Sequence, residues 1–119
     1  MKKILLLFTM VLLASCSGVK KTQKAINSGN YQVAMNKALK ELQKNKTKKG
    51  HQSYVVLLED AFQKHSEREQ ERIAFLEKDG KPENLEAIYN GLIGLKQLQN
   101  QIQPLLPLPI YDENRDAAF

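Results

Sequence analysis

Residues 83–103 read ENLEAIYNGLIGLKQLQNQIQ and carry the clearest helical pattern in the chain. Their apolar residues recur at spacings of three and four, the period that aligns side chains on one face of an α-helix. The aligned positions are Leu85, Ile88, Leu92, Leu95, Gln99 and Ile102. Gly91 and Gly94 each weaken an isolated helix by about 1 kcal/mol, so their presence indicates close packing against another helix. This stretch therefore predicts an amphipathic helix with a helical neighbour.

That neighbour is predicted immediately upstream, over residues 52–78. Its positions at helical spacing form a stripe that is apolar at both ends and polar in the middle: Val55, Leu58, Phe62, His65, Glu69, Ile73 and Leu76. Charges of both signs alternate at spacings of three and four between residues 67 and 72, which is typical of a solvated face. Asp79-Gly80 ends this helix, and Pro82 suits the first turn of the next. We expect an antiparallel hairpin over residues 52–103.

A shorter hairpin is predicted over residues 19–43. Val19, Thr22 and Ile26 mark one face of a short helix, which Ser28-Gly29-Asn30 interrupts. Asn30 is a residue type that favours the N-cap of a following helix. The apolar positions of that helix are Tyr31, Ala34, Met35, Ala38, Leu39 and Leu42. The predicted fold class is therefore all-α, built from antiparallel helical hairpins.

The segment around this break resembles the tetratricopeptide repeat. Gly29-Asn30-Tyr31-Gln32-Val33-Ala34 matches the family pattern Gly-x-Tyr-x-x-Ala, and Ala38-Leu39 follows in the same helix. In such repeats glycine allows the tight turn, tyrosine fills the gap between paired helices, and small residues let the backbones approach. The resemblance covers Gly29–Leu42 and implies a repeat-like helical hairpin that serves protein contacts. The alternative is an unrelated amphipathic helix.

The C-terminal residues read differently from the helices. Pro104-Leu105-Leu106-Pro107-Leu108-Pro109 ends the long helix and is expected to run extended, because proline cannot continue a helix. Asp112 then favours the N-cap of a further helix over residues 112–119. No stop signal closes that helix. We therefore expect residues 104–119 to be an extended segment followed by the start of an element that continues in a longer protein.

The first fifteen residues have the composition of an export signal. Lys2 and Lys3 supply a positive start, and residues 4–13 form an apolar run that only Thr9 interrupts. A run of that length is too short to cross the roughly 30 Å hydrocarbon core of a membrane, which requires about 20 helical residues. This segment is therefore predicted to be a cleaved signal peptide.

Leu13-Ala14-Ser15-Cys16 resembles the lipobox of bacterial lipoproteins, Leu-[Ala/Ser]-[Gly/Ala/Ser]-Cys. The resemblance implies that the chain is cut before Cys16, that its thiol carries a diacylglyceryl group, and that its new amino terminus is acylated. No cofactor other than these lipids is expected. Ser17 is not Asp, which resembles an outer-membrane address in enteric-type sorting. The alternative is an ordinary secretory signal that is cut before Gly18.

These patterns divide the chain into four parts. Residues 1–15 are the signal peptide, 16–18 the lipidated N-terminus with a short tether, 19–103 the helical domain, and 104–119 the proline-rich segment with the start of a further element. Cys16 is the single cysteine in the sequence, so no disulfide can stabilise the mature domain. The folded part should therefore rely on helix packing and lie close to the membrane surface.

Positive charge is concentrated in the first half of the mature chain. Residues 16–50 contain nine lysines and one acid, whereas residues 51–119 contain seven basic and twelve acidic residues. Anionic headgroups attract each nearby basic residue by about 1 kcal/mol. The candidate contacts for an anionic surface are Lys20, Lys21, Lys24, Lys44, Lys46, Lys48 and Lys49. The alternative for residues 44–49 is a solvated turn, and nucleic acid is not an expected partner of an exported chain.

Residues capable of catalysis do not form a recognisable pattern. His51 and His65 lie far apart without a cysteine ligand or a His-x-x-x-His pair, unlike the ligands of structural zinc sites. Glu59 and Asp60 are adjacent on a predicted helix and point apart, and the same holds for His65 and Ser66. We therefore predict no metal site and no enzyme activity.

A calcium loop is the nearest match among the acidic residues. Asp112, Asn114 and Asp116 match the first three ligand positions of such a loop. The next position requires glycine for a sharp turn, and Ala117 stands there. The closing glutamate would lie beyond residue 119. We therefore do not expect calcium binding.

Together these features predict a cell-envelope lipoprotein whose helical domain acts as a protein-interaction scaffold. Its expected partners are the membrane, through the lipid anchor, and other envelope proteins. Two other classes of function stay open. One is a binder of lipopolysaccharide or peptidoglycan that uses the lysines of residues 44–49. The other is an enzyme whose active site lies in a missing C-terminal part.

Overall fold

The computed structural model describes residues 17–119, and the all-α fold class is confirmed. Helix α1 covers residues 17–27, α2 covers Tyr31–Lys44, α3 covers Gln52–Asp79 and α4 covers Leu85–Ile102. A short 3-10 turn at Lys49–His51 precedes α3, and another at Pro82–Asn84 precedes α4. A third, at Gln103–Leu105, follows α4. Within residues 17–119, no helix combines the length and apolar character needed to cross a membrane.

Helices α1, α2 and the first half of α3 form the body of the molecule. A rise of 1.5 Å per residue makes α2 about 21 Å long and α3 about 42 Å long, so α2 covers only half of α3. The core of the body consists of side chains at the helical spacings expected from the sequence, among them Ile26, Ala34, Met35, Ala38, Leu39, Leu42, Val55, Leu58 and Phe62. The stripes predicted for α1, α2 and the first half of α3 therefore face one another.

The turn between α1 and α2 depends on Gly29, whose φ of 80° lies in the left-handed region that glycine adopts without strain. The backbone N–H of Asn30 donates to the carbonyl of Ala25 at 2.8 Å and so satisfies the end of α1. Asn30 makes no side-chain hydrogen bond to the start of α2. Asn30 does occupy the predicted N-cap position, and its carbonyl accepts from the N–H of Ala34 at 3.2 Å, but its side-chain amide donates to Ser28 rather than capping the helix.

The second half of α3 and most of α4 form an antiparallel arm that extends from the body. Gly80, with φ of 69°, ends α3 and donates its N–H to the carbonyls of Leu76 and Glu77. Asn84 holds the turn, since its side-chain amide donates to the Leu76 carbonyl at 3.1 Å. A Cβ placed on Gly91 would lie 3.2 Å from two carbon atoms of Ile73, so the two helices approach closely there.

Gly94 does not mark such an approach. A Cβ on Gly94 would meet no atom within 4 Å, so the prediction of close packing is wrong for this glycine. Successive helical residues are about 100° apart, and three residues turn Gly94 towards the edge of the contact that Gly91 makes. One glycine of the pair therefore serves packing, and the other lies beside an open cleft.

The C-terminal strap, residues 103–119, folds back over the body. Pro109–Ile110 pairs with Arg115–Asp116 as a two-stranded antiparallel ladder, with Asn114 in the left-handed region at φ 50°. The predicted helix from Asp112 is therefore wrong, because residues 111–113 form a single 3-10 turn between the two short strands. Leu108, Ile110 and Ala117 belong to the core, so the strap completes it.

Buried polar contacts fix the strap to α3. Glu59 accepts hydrogen bonds at 2.8 Å from both terminal nitrogens of Arg115 and at 2.6 Å from the N–H of Ala118. The Arg115 guanidinium holds the pKa of Glu59 below its usual value. This contact could not be predicted from the sequence, since the partners are 56 residues apart and Glu59 resembles any other helical acid.

Candidate functional site

The outer side of α4 exposes large apolar residues. Leu85 is 67% exposed, Tyr89 64% and Leu92 51%, although the sequence pattern predicts Leu85 and Leu92 to face the neighbouring helix. The buried residues of α4 are Gly91, Leu98 and Ile102. The predicted orientation of α4 is thus wrong by roughly a quarter-turn, because the glycine permits the closest approach and so sets the contact with α3.

This orientation leaves α4 with more apolar surface than α3 can cover. Successive residues lie about 100° apart around a helix, so the apolar side chains of α4 occupy an arc of about 200°, with Ala87 at one edge and Tyr89 at the other. One helical neighbour covers only part of such an arc. Leu85, Tyr89 and Leu92 share the uncovered side, because they are spaced by four and three residues.

A groove of about 630 Å3 lies beside this apolar side, between α3 and α4. Its α3 wall consists of Phe62, Ser66 and Gln70, and its α4 wall consists of Leu92, Leu95, Lys96 and Gln99. Lys96 is the one charged residue among its lining residues in the described chain. The groove is therefore a nearly uncharged channel between two rigid helices.

Phe119 of the strap closes the base of this groove. Its ring meets the ring of Phe62 edge to face, with centroids 5.3 Å apart. A second cavity of about 260 Å3 adjoins it at Gln99 and Phe119 and adds Leu106, which is 41% exposed. We call the two cavities, together with the adjoining apolar side of α4, the arm groove; Leu92 and Leu106 line the cavities, and Leu85 and Tyr89 are exposed on the adjoining side.

The opposite side of the arm carries a polar cleft of about 280 Å3. It is lined by His65, Glu69 and Arg72 of α3, and Arg72 donates to the Glu69 carboxylate at 2.9 Å. Burial lowers the pKa of His65, which favours the neutral imidazole. Phe75, 70% exposed, lies on the back of α3, since two residues turn it about 200° from Ile73.

His65 and Ser66 line the two different clefts, one on each side of α3. Their Nδ1 and Oγ atoms are buried and have no hydrogen-bond partner among residues 17–119. His51 is held elsewhere, with its Nδ1 2.6 Å from the Asn45 carbonyl and its Nε2 3.7 Å from Glu41. Within residues 17–119, no three His, Cys, Asp or Glu side chains converge as a metal site would require.

The candidate lysines fall into two groups. Lys20, Lys21 and Lys24 on α1 and Lys48 and Lys49 before α3 have exposed side chains. Lys44 and Lys46 make contacts within the protein: Lys44 pairs with Glu41 at 3.4 Å, and Lys46 donates to the carbonyls of Leu105 and Pro107 at 2.9 and 3.3 Å. Lys46 thus fastens the strap, a role that its loop sequence did not indicate.

The lipidation residue Cys16 and the lipobox residues Leu13, Ala14 and Ser15 lie outside the described residues. The described chain starts at the end of the body that also holds residues 45–51, because Gly18 lies beside Tyr54 and Lys37. The exposed lysines of α1 and of the loop before α3 therefore lie towards the same end of the molecule.

Tyr31, the aromatic residue of the tetratricopeptide-like segment, packs between helices. The Arg68 guanidinium lies 4.5 Å above the centre of its ring, and Arg68 also donates to the Gly29 carbonyl at 2.9 Å. The resemblance to that repeat family stays a prediction. Comparison of the chain with protein-family models, with curated proteins and with solved structures found no match.

Proposed function

We propose that this chain is a cell-envelope lipoprotein, anchored through lipid on Cys16, whose arm groove binds protein. The observation that carries the proposal is the exposure of Leu85, Tyr89 and Leu92 beside a nearly uncharged groove. A contiguous apolar patch on a soluble surface marks a site of association, since water gives it no compensating contact. No catalytic step is part of this function.

The distance between anchor and groove fits a display role. Gly18 lies at the level of Tyr54 near the start of α3, and Asp79 is 25 residues further along the same helix. At 1.5 Å per residue, the tip of the arm lies about 38 Å from that level along the helix axis. An anchor on Cys16 would hold the body at the membrane and leave the arm pointing into the adjoining compartment.

The exposed lysines complement such an anchor. Lys20, Lys21, Lys48 and Lys49 lie towards the anchor end, where anionic headgroups would attract each one by about 1 kcal/mol. Electrostatic attraction of this size orients a lipid-anchored protein, because the lipid chains already supply the binding energy. The lysines therefore fit a supporting role at the membrane surface.

The rival proposal is a binder of lipopolysaccharide or peptidoglycan built on residues 44–49. Of the four lysines in that segment, Lys46 is held by the strap carbonyls, and Lys44 pairs with Glu41 at 3.4 Å while its side chain stays 61% exposed. The remaining pair, Lys48 and Lys49, lines neither the arm groove nor the polar cleft. The contacts of these lysines favour the scaffold over the polymer binder.

The experiment has two readings, one for the anchor and one for the groove. Intact mass of the protein purified from bacterial membranes, compared with Cys16→Ala, should show lipid mass on a chain that begins at Cys16. A photo-reactive phenylalanine analogue at Tyr89 should yield cross-linked protein in cells, and the same analogue at Gln32, on the body, serves as the control. A soluble product starting near Gly18 would refute the anchor. Equal cross-linking from both positions would refute the docking role of the groove.

A further inference from the structure

We propose that the arm groove is occupied by a second copy of this chain, with the two arms side by side and parallel. The two hairpins would together form a four-helix arrangement. This inference rests on the proposed function for its docking surface and names the partner. A two-helix hairpin buries apolar residues only between its two helices, so the outer apolar side of α4 stays uncovered. An identical hairpin can cover that side through an isologous contact, in which the same surface of each copy meets the other.

The spacing of apolar residues on α4 supports a helical partner with the same repeat. Leu85, Leu92 and Gln99 are seven residues apart, and so are Ile88, Leu95 and Ile102. Of the second set, Ile102 is buried and the other two are half-buried, while Leu85 and Leu92 are exposed. A seven-residue repeat of this kind interlocks with an identical helix, knob into hole. The first set thus forms an unused seam along α4.

The distribution of charge supports burial of this seam. Between residues 67 and 79, α3 carries eight charged side chains in thirteen positions, whereas α4 carries only Glu86 and Lys96 in eighteen. Glu86 is one position from Leu85 and six from Leu92, which places it about 100–120° from both around the axis of α4, whereas Lys96 lies on their side. Depletion of charge together with an exposed tyrosine is the composition of an interface core rather than of a solvated face.

The area of the arm favours a partner that is two helices wide. An α4 of 18 residues is about 27 Å long, and two packed helices are about 20 Å wide, so one arm offers roughly 540 Å2. A second arm would bury roughly 1,000–1,200 Å2 in total, which reaches the size of specific interfaces. A single partner helix would bury about half of that, which is the range of incidental contacts.

Gln99 fixes the direction of the pairing. It occupies the same repeat position as Leu85 and Leu92, and its polar amide would sit in the seam. In a parallel pair each Gln99 meets its own copy, and the two amides can bond to one another. In an antiparallel pair Gln99 would face Leu85 and leave the amide unpaired. A parallel pair also places both Cys16 anchors at the same end.

The test is disulfide trapping in the full-length exported chain. Leu92→Cys and Leu85→Cys place a thiol on the seam, and Gln97→Cys places one on the opposite, exposed side of α4 as the matched control. A disulfide forms when the Cα atoms lie within about 7 Å, which a parallel pair satisfies at both seam positions. After mild oxidation, both seam variants should migrate at twice the monomer mass on a non-reducing gel, and Gln97→Cys should not.

Each other outcome overturns a defined part. Monomers from both seam variants, with a Tyr89 cross-link to a protein of different mass, would refute the second copy and leave the proposed function. A dimer that Leu85→Cys forms only with co-expressed Gln99→Cys would refute the parallel arrangement. A dimer of the unsubstituted chain, joined through Cys16, would reveal a free thiol there and refute the lipid anchor on which the parallel membrane arrangement depends.

Discussion

Gly91 and Gly94 lie one turn apart on α4, and substitution by alanine should stabilise the chain at Gly94 but not at Gly91. A Cβ on Gly91 would lie 3.2 Å from the Ile73 side chain and from Arg72 Nη2, whereas a Cβ on Gly94 would meet nothing within 4 Å. Arg72 can move away, but Ile73 is 6% exposed and packed against its neighbours. The two substitutions thus share their local chemistry and differ in tertiary contact.

The magnitudes follow from two effects. Alanine in place of glycine stabilises a helix interior by about 1 kcal/mol, and Gly94→Ala should show this gain unopposed. At Gly91 the same gain is offset by overpacking, which costs roughly 1–3 kcal/mol when a methyl group is forced into a close contact. Gly91→Ala should therefore be between neutral and about 2 kcal/mol less stable than the unsubstituted chain. The two variants should differ by about 1–3 kcal/mol.

Urea unfolding followed by circular dichroism measures this difference. Both substitutions belong in the Cys16→Ala chain, which cannot be lipidated and so avoids detergent. A shift of 1 kcal/mol corresponds to roughly 4–8 °C in the thermal midpoint of a domain of this size, so thermal scans offer a second reading. If Gly91→Ala stabilises the chain as much as Gly94→Ala, the close approach of α3 and α4 at Ile73 does not exist.

Three further substitutions test other contacts. Glu59→Gln should reduce the loss of stability at acidic pH. Arg115 lowers the pKa of Glu59 in the folded protein, so the ionised carboxylate stabilises the fold at pH values above its ordinary pKa near 4.3. This stabilisation is lost as the pH falls through the lowered pKa. Urea midpoints at neutral and acidic pH would show this, and an unchanged pH slope would contradict it. Lys46→Met should raise amide exchange in the C-terminal strap without weakening membrane association, and lost association would instead support a headgroup contact. Arg68→Ala should cost about 0.5–1 kcal/mol, measured by urea unfolding, because it removes the guanidinium that lies over the face of the Tyr31 ring. Arg68→Lys should not restore the full value; full restoration would show that charge alone is sufficient.

The sequence predicts the helical body well because its packing is periodic. Ala34, Met35 and Leu42 on α2 recur at the spacing of one helix face, and this face is buried in the structure. The end of α3 is equally readable, since Gly80 has the conformational freedom that such an end requires. These features depend on residues that are close in the sequence, so the sequence pattern predicts them.

Prediction from the sequence fails where a tertiary contact selects one of two conformations that the local sequence permits. Leu85 and Leu92 belong to a good helical stripe, yet the close approach at Gly91 rotates α4 and leaves them exposed. The residues after Asp112 favour a helix locally, but burial of Ala117 and the bond from Arg115 to Glu59 stabilise paired strands instead. The arm groove could not be predicted for the same reason, because its position depends on the rotation of α4 about its own axis, and the contact at Gly91 sets that rotation.

The turn at Gly80 lies at the free end of the arm, so the length of the arm can change without a change in the body. Beyond Arg68, α3 packs mainly against α4, and the strap contacts lie near the other end of α3 at Gln52 and Glu59. Insertion of seven residues into each helix near the tip would preserve the side-chain register and lengthen the arm by about 10 Å. The body would not be disturbed. The length of the arm is therefore set independently of the packing of the body.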